Sequence, residues 1–208
     1  MTQSDTLDIL LNINAIHFYE NTPFVWSSGW NSPIYCDNRL ILSQHEARKK
    51  IRNGLVALAK EHFPAPDAIA GVATGAIAMG ALVADALEKP FAYVRPKPKD
   101  HGMGNQIEGV IQEGSKVLIV EDLISTGGSS LAAAAAIRNA GAEVIGMVAI
   151  FTYAFPVAQT NFRNHNVKLC TLADYPSLIR LLSDRGRIAQ DQLATLEEWR
   201  QAPEKWRR

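Results

Sequence analysis

Short apolar runs that alternate with helical segments fill the middle of the chain and restrict its fold more than any other feature. The runs have the length of buried strands, and they fall at 69–72, 91–94, 117–120, 144–151 and 167–172. Helical patterns lie between them at 77–87 and 129–139. This alternation predicts an α/β fold in which helices cover both faces of a mostly parallel sheet. Because ligands bind beyond the carboxyl ends of strands in such sheets, we expect the functional residues there.

The charge balance excludes several classes of partner. The chain has 208 residues, and its 21 Lys and Arg residues balance its 21 Asp and Glu residues. No global field therefore favours nucleic acid or an anionic membrane surface. A hydrophobic share of 47% against 20% charged residues excludes a disordered chain. We expect one domain over 1–208, with a C-terminal helix at about 188–200 that Trp199 and Trp206 anchor.

Two helices are predicted before the first apolar run. Ser4 is placed to cap the first, whose apolar stripe includes Leu7, Leu10, Leu11 and Phe18. The second covers 43–62 and opens on a sequence of capping-box form. Four histidines without acidic partners at useful spacing fall in predicted helices, and we expect core or surface roles for His17, His45, His62 and His165.

The cysteines and the apolar stretches bear on the compartment. Cys36 and Cys170 are far apart in the sequence, which fits neither a disulfide framework nor a metal site. The two longest charge-free stretches contain glycine, or proline with polar residues, so neither predicts a membrane span. The first ten residues carry acids where a secretory signal needs basic residues. These features favour a cytoplasmic protein with reduced thiols.

The segment 117–129 is the most informative one for function. An aliphatic strand leads to Glu121 and Asp122, and a turn of hydroxyl and glycine residues then enters a helix near Ser129. Glycines allow backbone N–H groups to face a ligand, and the start of a helix favours an anion. A monophosphate fits this turn. The acids would repel it, so we expect them to face a group with hydroxyls or developing positive charge, such as a ribose.

Other interpretations of the segment 117–129 fit its residues less well. A nucleoside-triphosphate P-loop is excluded because the chain contains no G-x-x-x-x-G-K-[ST], and no G-x-G-x-x-G follows a strand. The plain structural alternative is a flexible turn after a solvated strand end. Two acids at the end of an aliphatic strand, directly before a turn of glycine and hydroxyl residues, form a more specific pattern than an ordinary turn requires. The pattern therefore favours a ligand site.

The same thirteen residues resemble the signature with which type I phosphoribosyltransferases bind 5-phosphoribosyl 1-pyrophosphate (PRPP). The resemblance implies that Glu121 and Asp122 contact the ribose hydroxyls. It also implies that the following residues bind the 5-phosphate, namely Leu123, Ile124, Ser125, Thr126, Gly127, Gly128 and Ser129.

A basic segment with prolines and glycines, 95–105, is unsuited to a helix interior and suited to a mobile lid. Taken alone, it is as easily a solvated charge run. It closely resembles the catalytic loop of orotate phosphoribosyltransferases. The resemblance implies that Lys99 and His101 contact the pyrophosphate, and that Arg95 does so from the neighbouring subunit of a homodimer.

Two further segments resemble the orotate enzymes. Residues 24–39 are similar to their N-terminal stretch and imply a small N-terminal hood at about 1–42. Residues 71–77 resemble the pyrophosphate-side loop, with Thr74 and Gly75 at its centre. The chain departs from many relatives in three places. Ser27 and Asn31 stand where many carry a lysine in this stretch, Pro96 follows the loop arginine, and 151–154 contains no arginine.

The resemblance implies transfer of the phosphoribosyl group from PRPP to orotate, giving orotidine 5′-monophosphate and pyrophosphate. Lys99, Asp122, Glu121, Arg95 and His101 would be the catalytic residues, and Ser125 would bind orotate. Mg²⁺ would bridge substrate oxygens, with no protein metal site of its own. The alternatives are a phosphoribosyltransferase for another base and a PRPP-sensing regulator of the same fold.

Overall fold

A six-stranded sheet forms the centre of the protein in the computed structural model, which describes residues 1–19, 21–26, 29–97 and 106–207. Its strand order is β10-β9-β8-β5-β6-β7. Those strands are β5 (Ala68–Val72), β6 (Phe91–Val94), β7 (Ile107–Glu108), β8 (Lys116–Ile124), β9 (Glu143–Thr152) and β10 (Leu169–Asp174). All neighbours are parallel except β6 and β7. The predicted α/β fold with a mostly parallel sheet is confirmed.

Helices flank this sheet. They are α1 (Gln3–Asn12), α2 (His45–His62), α3 (Ile77–Ala86), α4 (Gly128–Asn139), α5 (Pro156–Asn164), α6 (Tyr175–Asp184) and α7 (Gln190–Gln201). The central strands are apolar on both faces because helices cover both, and every residue of β5 is buried. Small residues of α4, Ala133 and Ala134, are buried against the sheet and permit close packing.

Short strands precede α2. They are β1 (Ile16–Phe18), β2 (Phe24–Val25), β3 (Asn31–Ser32) and β4 (Ile34–Cys36), and a 3-10 helix follows at Asn38–Ser43. β1 pairs with β4, and β2 pairs with β3, both antiparallel. Residues 24–39 therefore contain β2, β3, β4 and the start of the 3-10 helix.

Three details of the predicted N-terminal helices are wrong. Thr2 caps α1 in place of Ser4, because its hydroxyl accepts the N–H of Asp5 at 3.1 Å. Asn14 takes φ 54° just after the helix, and the chain then enters β1, so His17 lies in a strand. α2 begins at His45 after Gln44, without a side-chain cap, because Ser43 is still part of the 3-10 helix.

The strand that carries the acids is longer than the sequence indicates. β8 continues to Ile124, so Glu121 and Asp122 lie within it and pair with β9, in the register Glu121 to Ala149. The two helices α5 and α6 were not predicted. Both have a proline in the first turn, and the Asp174 carboxylate caps α6 by accepting the N–H of Ser177 at 2.8 Å.

Aromatic rings pack where the C-terminal helix meets the sheet and the N-terminal strands. Trp199 of α7 is fully buried among Trp26, Tyr153, Phe155 and Tyr175. This cluster joins segments from three parts of the sequence. Across the described ranges, no helix has the length and hydropathy to cross a bilayer.

Candidate active site

A cavity of about 330 Å³ opens at the carboxyl ends of β5 and β8. It is lined by residues of three segments. The first is residues 35–39, which join β4 to the 3-10 helix and are called the 3-10 helix region below. The others are the end of β5 with the loop after it, and the end of β8 with the start of α4. The lining residues are Tyr35, Cys36, Asp37, Arg39, Val72, Ala73, Thr74, Gly75, Glu121, Asp122, Leu123 and Ser129. The cavity thus lies where a parallel sheet places its ligands.

Residues 125–128 form a turn between β8 and α4 that is built to receive an anion. Gly127 precedes the helix with φ 84°, a conformation that favours glycine. A Cβ there would also meet the ring of Phe162. The first N–H groups of α4 have no intrahelical acceptor, so they are available to a ligand, and the helix dipole favours negative charge at this end. The side-chain amide of Asn161 fixes the turn by donating to the carbonyl of Thr126 at 3.0 Å.

The two acids of β8 have different environments. Asp122 is half-buried and lies in the cavity wall. Glu121 is only 4% exposed, and its carboxylate accepts the N–H of Asp122 at 2.9 Å and the hydroxyl of Ser130 at 2.8 Å. Burial raises the pKa of Glu121 well above its usual value, and the neighbouring charge of Asp122 adds to the shift. The two adjacent carboxyls therefore have different surroundings, because Glu121 is buried against Ser130 and Asp122 is half-buried at the cavity.

Replacing Glu121 by Gln tests this pKa shift. A carboxyl whose pKa is raised by folding stabilises the protein at low pH, and that contribution is lost as the pH rises above its ordinary value of 4.5. The wild type should therefore lose stability relative to Glu121→Gln as the pH rises from 5 to 8. The difference in free energy of unfolding, variant minus wild type, should increase by up to about 1.4 kcal/mol per pH unit. Denaturant unfolding at both pH values measures it. A constant difference would contradict the shift, and the exposed Glu113→Gln is the control.

The 3-10 helix region contacts the acid strand through Asn38. Its side chain is 3% exposed and donates to the backbone carbonyl of Asp122 at 2.6 Å. Its amide oxygen accepts the thiol of Cys36 at 3.2 Å. Burial raises the pKa of that thiol, so it stays protonated as the donor. Sequence reasoning missed Asn38, since no local pattern links it to a residue 84 positions away.

Thr74 and Gly75 lie in the loop after β5, opposite Asp122. Any Cβ at Gly75 would overlap the carboxylate of Asp122. Glycine is therefore needed here for a close approach, not for an unusual φ.

Gly75→Ala should lower kcat/KM by about 100-fold, because small displacements of a reacting-site group have effects of that size. Stability should change little, since the overlapping atoms are the end of a side chain that can rotate. Steady-state kinetics and thermal unfolding measure the two effects. The control is Gly114→Ala, which adds a methyl where no atom lies within 4 Å. Full activity of Gly75→Ala would show that the position of Asp122 is unimportant.

Other residues singled out from the sequence lie elsewhere. Arg95 follows β6 at the sheet edge, and its Nη1 lies 3.7 Å from Oε1 of Glu108. Lys99 and His101 lie outside the described residues, as does Ser27. Asn31 is not among the lining residues of the cavity, and its side-chain amide donates to the carbonyl of Arg207. Ser125, Thr126, Gly127 and Gly128 form the turn beside the cavity without lining it.

Comparison with known proteins identifies the family of this chain. The phosphoribosyl transferase domain family matches residues 41–176. The chain therefore belongs to the phosphoribosyltransferase family.

Within that family, curated relatives that match nearly the whole chain are named orotate phosphoribosyltransferase. The one from Cytophaga hutchinsonii is 54% identical over 96% of this chain and 95% of its own length. The one from Porphyromonas gingivalis is 53% identical over 95% of this chain and 94% of its own. The crystal structure of the orotate phosphoribosyltransferase from Aeropyrum pernix covers 86% of this chain and 99% of its own, with a TM-score of 0.74 and 26% identity.

Proposed function

We infer that this protein transfers the 5-phosphoribosyl group of PRPP to orotate, giving orotidine 5′-monophosphate and pyrophosphate, a step of pyrimidine (UMP) biosynthesis. The main support is the cavity, where the end of β8 with its two acids, the start of α4 and the 71–77 loop lie next to the 3-10 helix region. Relatives named orotate phosphoribosyltransferase align over nearly the whole chain. The proposal therefore covers the complete reaction and not the sugar site alone.

The residues support a division of labour around the ribose. Displacement of pyrophosphate from the anomeric carbon develops positive charge on the sugar ring, and a preorganised carboxylate stabilises such charge. Asp122 supplies this carboxylate from the cavity wall, and Glu121 below it binds Ser130 and keeps the strand in place. The turn at 125–129 holds the 5-phosphate, so binding energy far from the reacting bond orients the sugar. Ser125 contacts the orotate.

The leaving group requires positive charge on the opposite side. Lys99 and His101 supply it by resemblance to the orotate enzymes, with Arg95 from a second subunit. Thr74 and Gly75 of the loop after β5 contribute backbone groups on the same side. A closing lid would keep water away from the activated sugar.

The residues of this site fit a Mg²⁺ ion that binds together with the substrate phosphates. Asp122 offers one carboxylate to the cavity, and no cluster of three or more His, Cys, Asp or Glu residues is found in the described ranges. Mg²⁺ is commonly bound by one or two carboxylates together with substrate phosphates. When bound, it would neutralise charge on the departing pyrophosphate.

A homodimer and a cytoplasmic location complete the proposal. Arg95 lies beside the β6–β7 pair at one end of the sheet, and by resemblance to the orotate enzymes it would enter the site of a second copy of the chain. Cys36 and Cys170 are free thiols, which fits a reducing compartment. No nucleic acid and no membrane takes part.

Subunit mixing tests the shared site. Arg95→Ala and Asp122→Asn should each be nearly inactive alone. In a mixed dimer, one site receives Arg95 from the Asp122→Asn subunit and keeps its own Asp122, so activity should return. Refolding or coexpression of the two variants, followed by an assay, measures this recovery. No recovery in a verified mixed dimer would place Arg95 in its own subunit's site.

The base specificity is tested by pyrophosphate release with PRPP and Mg²⁺ and a single base in each assay: orotate, uracil, adenine or hypoxanthine. The proposal predicts turnover with orotate alone. Turnover with another base would retain the sugar site and overturn the base assignment. Binding of PRPP without turnover on any base would favour a sensor.

A further inference from the structure

Arg39 is the cation that the described residues bring to the cavity. Of the twelve lining residues, it alone has a basic side chain, while Asp37, Glu121 and Asp122 are acidic. Both substrates of the proposed function, on which this inference rests, are anions: orotate carries a carboxylate, and PRPP carries phosphate and pyrophosphate groups. An acidic cavity cannot hold them without a positive partner.

The guanidinium of Arg39 is held in a fixed orientation. Nε donates to Oδ1 of Asp37 at 2.7 Å, and Nη2 donates to Oδ2 of the same carboxylate at 2.9 Å. Nη2 also donates to the hydroxyl of Tyr35 at 3.1 Å. These contacts use three of the five N–H groups of the side chain. Both N–H groups on Nη1 lack an acceptor among the residues that the structure describes, and the side chain is 58% exposed.

The backbone beneath Arg39 is fixed as well. The Asp37 carboxylate accepts the backbone N–H of Arg39 at 3.1 Å, at the start of the 3-10 helix. Asn38, which directly precedes Arg39, is buried, and its side-chain amide donates to the carbonyl of Asp122. Arg39 is therefore tied through one neighbour to the strand of the sugar-binding acid, and its free donors keep their place relative to that acid.

Asn31 and the end of β9 do not supply a cation to the cavity in the described part of this chain. Asn31 donates its amide to the carbonyl of Arg207, and its own carbonyl accepts the indole N–H of Trp199 at 3.2 Å. At the end of β9, Phe151 and Tyr153 are buried in the aromatic cluster. Among the described residues that line the cavity, Arg39 is therefore the one whose side-chain charge can contact an anionic substrate group.

We propose that Nη1 of Arg39 binds the anionic oxygens of a substrate at the hood side of the cavity, either the carboxylate of orotate or the pyrophosphate of PRPP. Both ligands present paired oxygens to a fork of two N–H groups, the geometry that arginine matches better than lysine. Asp37 and Tyr35 are positioning residues, because they act by holding the guanidinium and leave Nη1 free.

Steady-state kinetics of Arg39→Gln and Arg39→Lys test the proposal, with the exposed Arg180→Gln of α6 as the matched control. Loss of a charge-assisted contact should raise the KM of the bound substrate by about 10- to 100-fold in Arg39→Gln. Arg39→Lys should recover part of it, and Arg180→Gln should equal the wild type. Unchanged KM values for both substrates in Arg39→Gln would overturn the proposal.

Two binding measurements separate the sources of the anion. If Arg39 binds pyrophosphate, Arg39→Gln weakens PRPP in calorimetry without orotate and weakens inhibition by pyrophosphate. If it binds the orotate carboxylate, PRPP affinity is unchanged and the KM of orotate alone rises. Inactivity of the wild type on orotate would refute the proposed function itself, a different outcome from an active wild type with an unaffected Arg39→Gln.

A purely structural effect is distinguished by chemical rescue. Arg39→Ala should regain activity when guanidinium is added at concentrations far below those that unfold the protein, because the added ion occupies the vacated site beside Asp37. Failure of rescue in a variant whose thermal unfolding matches the wild type would show that the free cation is not the feature that matters, and it would overturn the proposal.

Discussion

Asp122→Asn should lower kcat by about 100- to 1000-fold, the usual cost of removing one preorganised charge-stabilising group. The carboxylate lies in the cavity wall, and its backbone is fixed on both sides, by Glu121 through its N–H and by Asn38 through its carbonyl. Asparagine has the same shape, so the free energy of unfolding should stay nearly unchanged. The loss would then come from the charge and not from the fold.

The exposed Asp85→Asn on α3 serves as the matched control, since it removes an equal charge outside the cavity. Saturating kinetics with orotate and PRPP give kcat for both variants. An unchanged kcat in Asp122→Asn would show that its charge does not stabilise the developing positive charge on the ring. An equal loss in both variants would assign the effect to net charge.

Trp199→Ala should lower the free energy of unfolding by about 3–5 kcal/mol, the range for deleting a large buried aromatic side chain. Its ring is fully buried, with centroids 5.4 to 5.8 Å from those of four other rings. The indole N–H also donates to the carbonyl of Asn31. Because Trp26 and Asn31 belong to the N-terminal segment, the substitution should loosen that segment as well.

Urea unfolding measures this loss, and Trp199→Phe separates its causes. Phenylalanine keeps an aromatic ring but cannot donate to Asn31, so its cost should be clearly smaller than that of alanine. A loss below about 1 kcal/mol in Trp199→Ala would contradict a packed junction, since complete removal of a core tryptophan is rarely so mild.

Local signals account for what the sequence predicts well. Five of the six strands of the sheet and the turn at 125–128 are recognisable because aliphatic runs, glycines and hydroxyls lie within a few residues of one another. The two-residue strand β7 is too short to have such a pattern. The helices α5 and α6 were missed although each has a proline in its first turn and Asp174 caps α6. β8 extends beyond the aliphatic run because pairing with β9 continues to Ile124, a tertiary effect.

The missed part of the site depends on contacts between distant segments. Asn38 and Asp122 are 84 positions apart, and Trp199 and Asn31 are 168 apart. No spacing rule connects such pairs, so their hydrogen bonds become visible only in the folded chain. The burial of Glu121 is of the same kind. Two adjacent acids look equivalent in the sequence, and both line the cavity, yet the fold buries Glu121 against the hydroxyl of Ser130 and leaves Asp122 half-buried.

The cavity at the ends of β5 and β8 should hold the sugar phosphate and the base together. A crystal structure with bound orotidine 5′-monophosphate tests it most directly. We predict that the phosphate receives hydrogen bonds from the turn at 125–129, that the ribose hydroxyls contact Asp122, and that the base lies toward the 3-10 helix region. A nucleotide bound outside this cavity, or a phosphate away from the start of α4, would show that the cavity is not the active site.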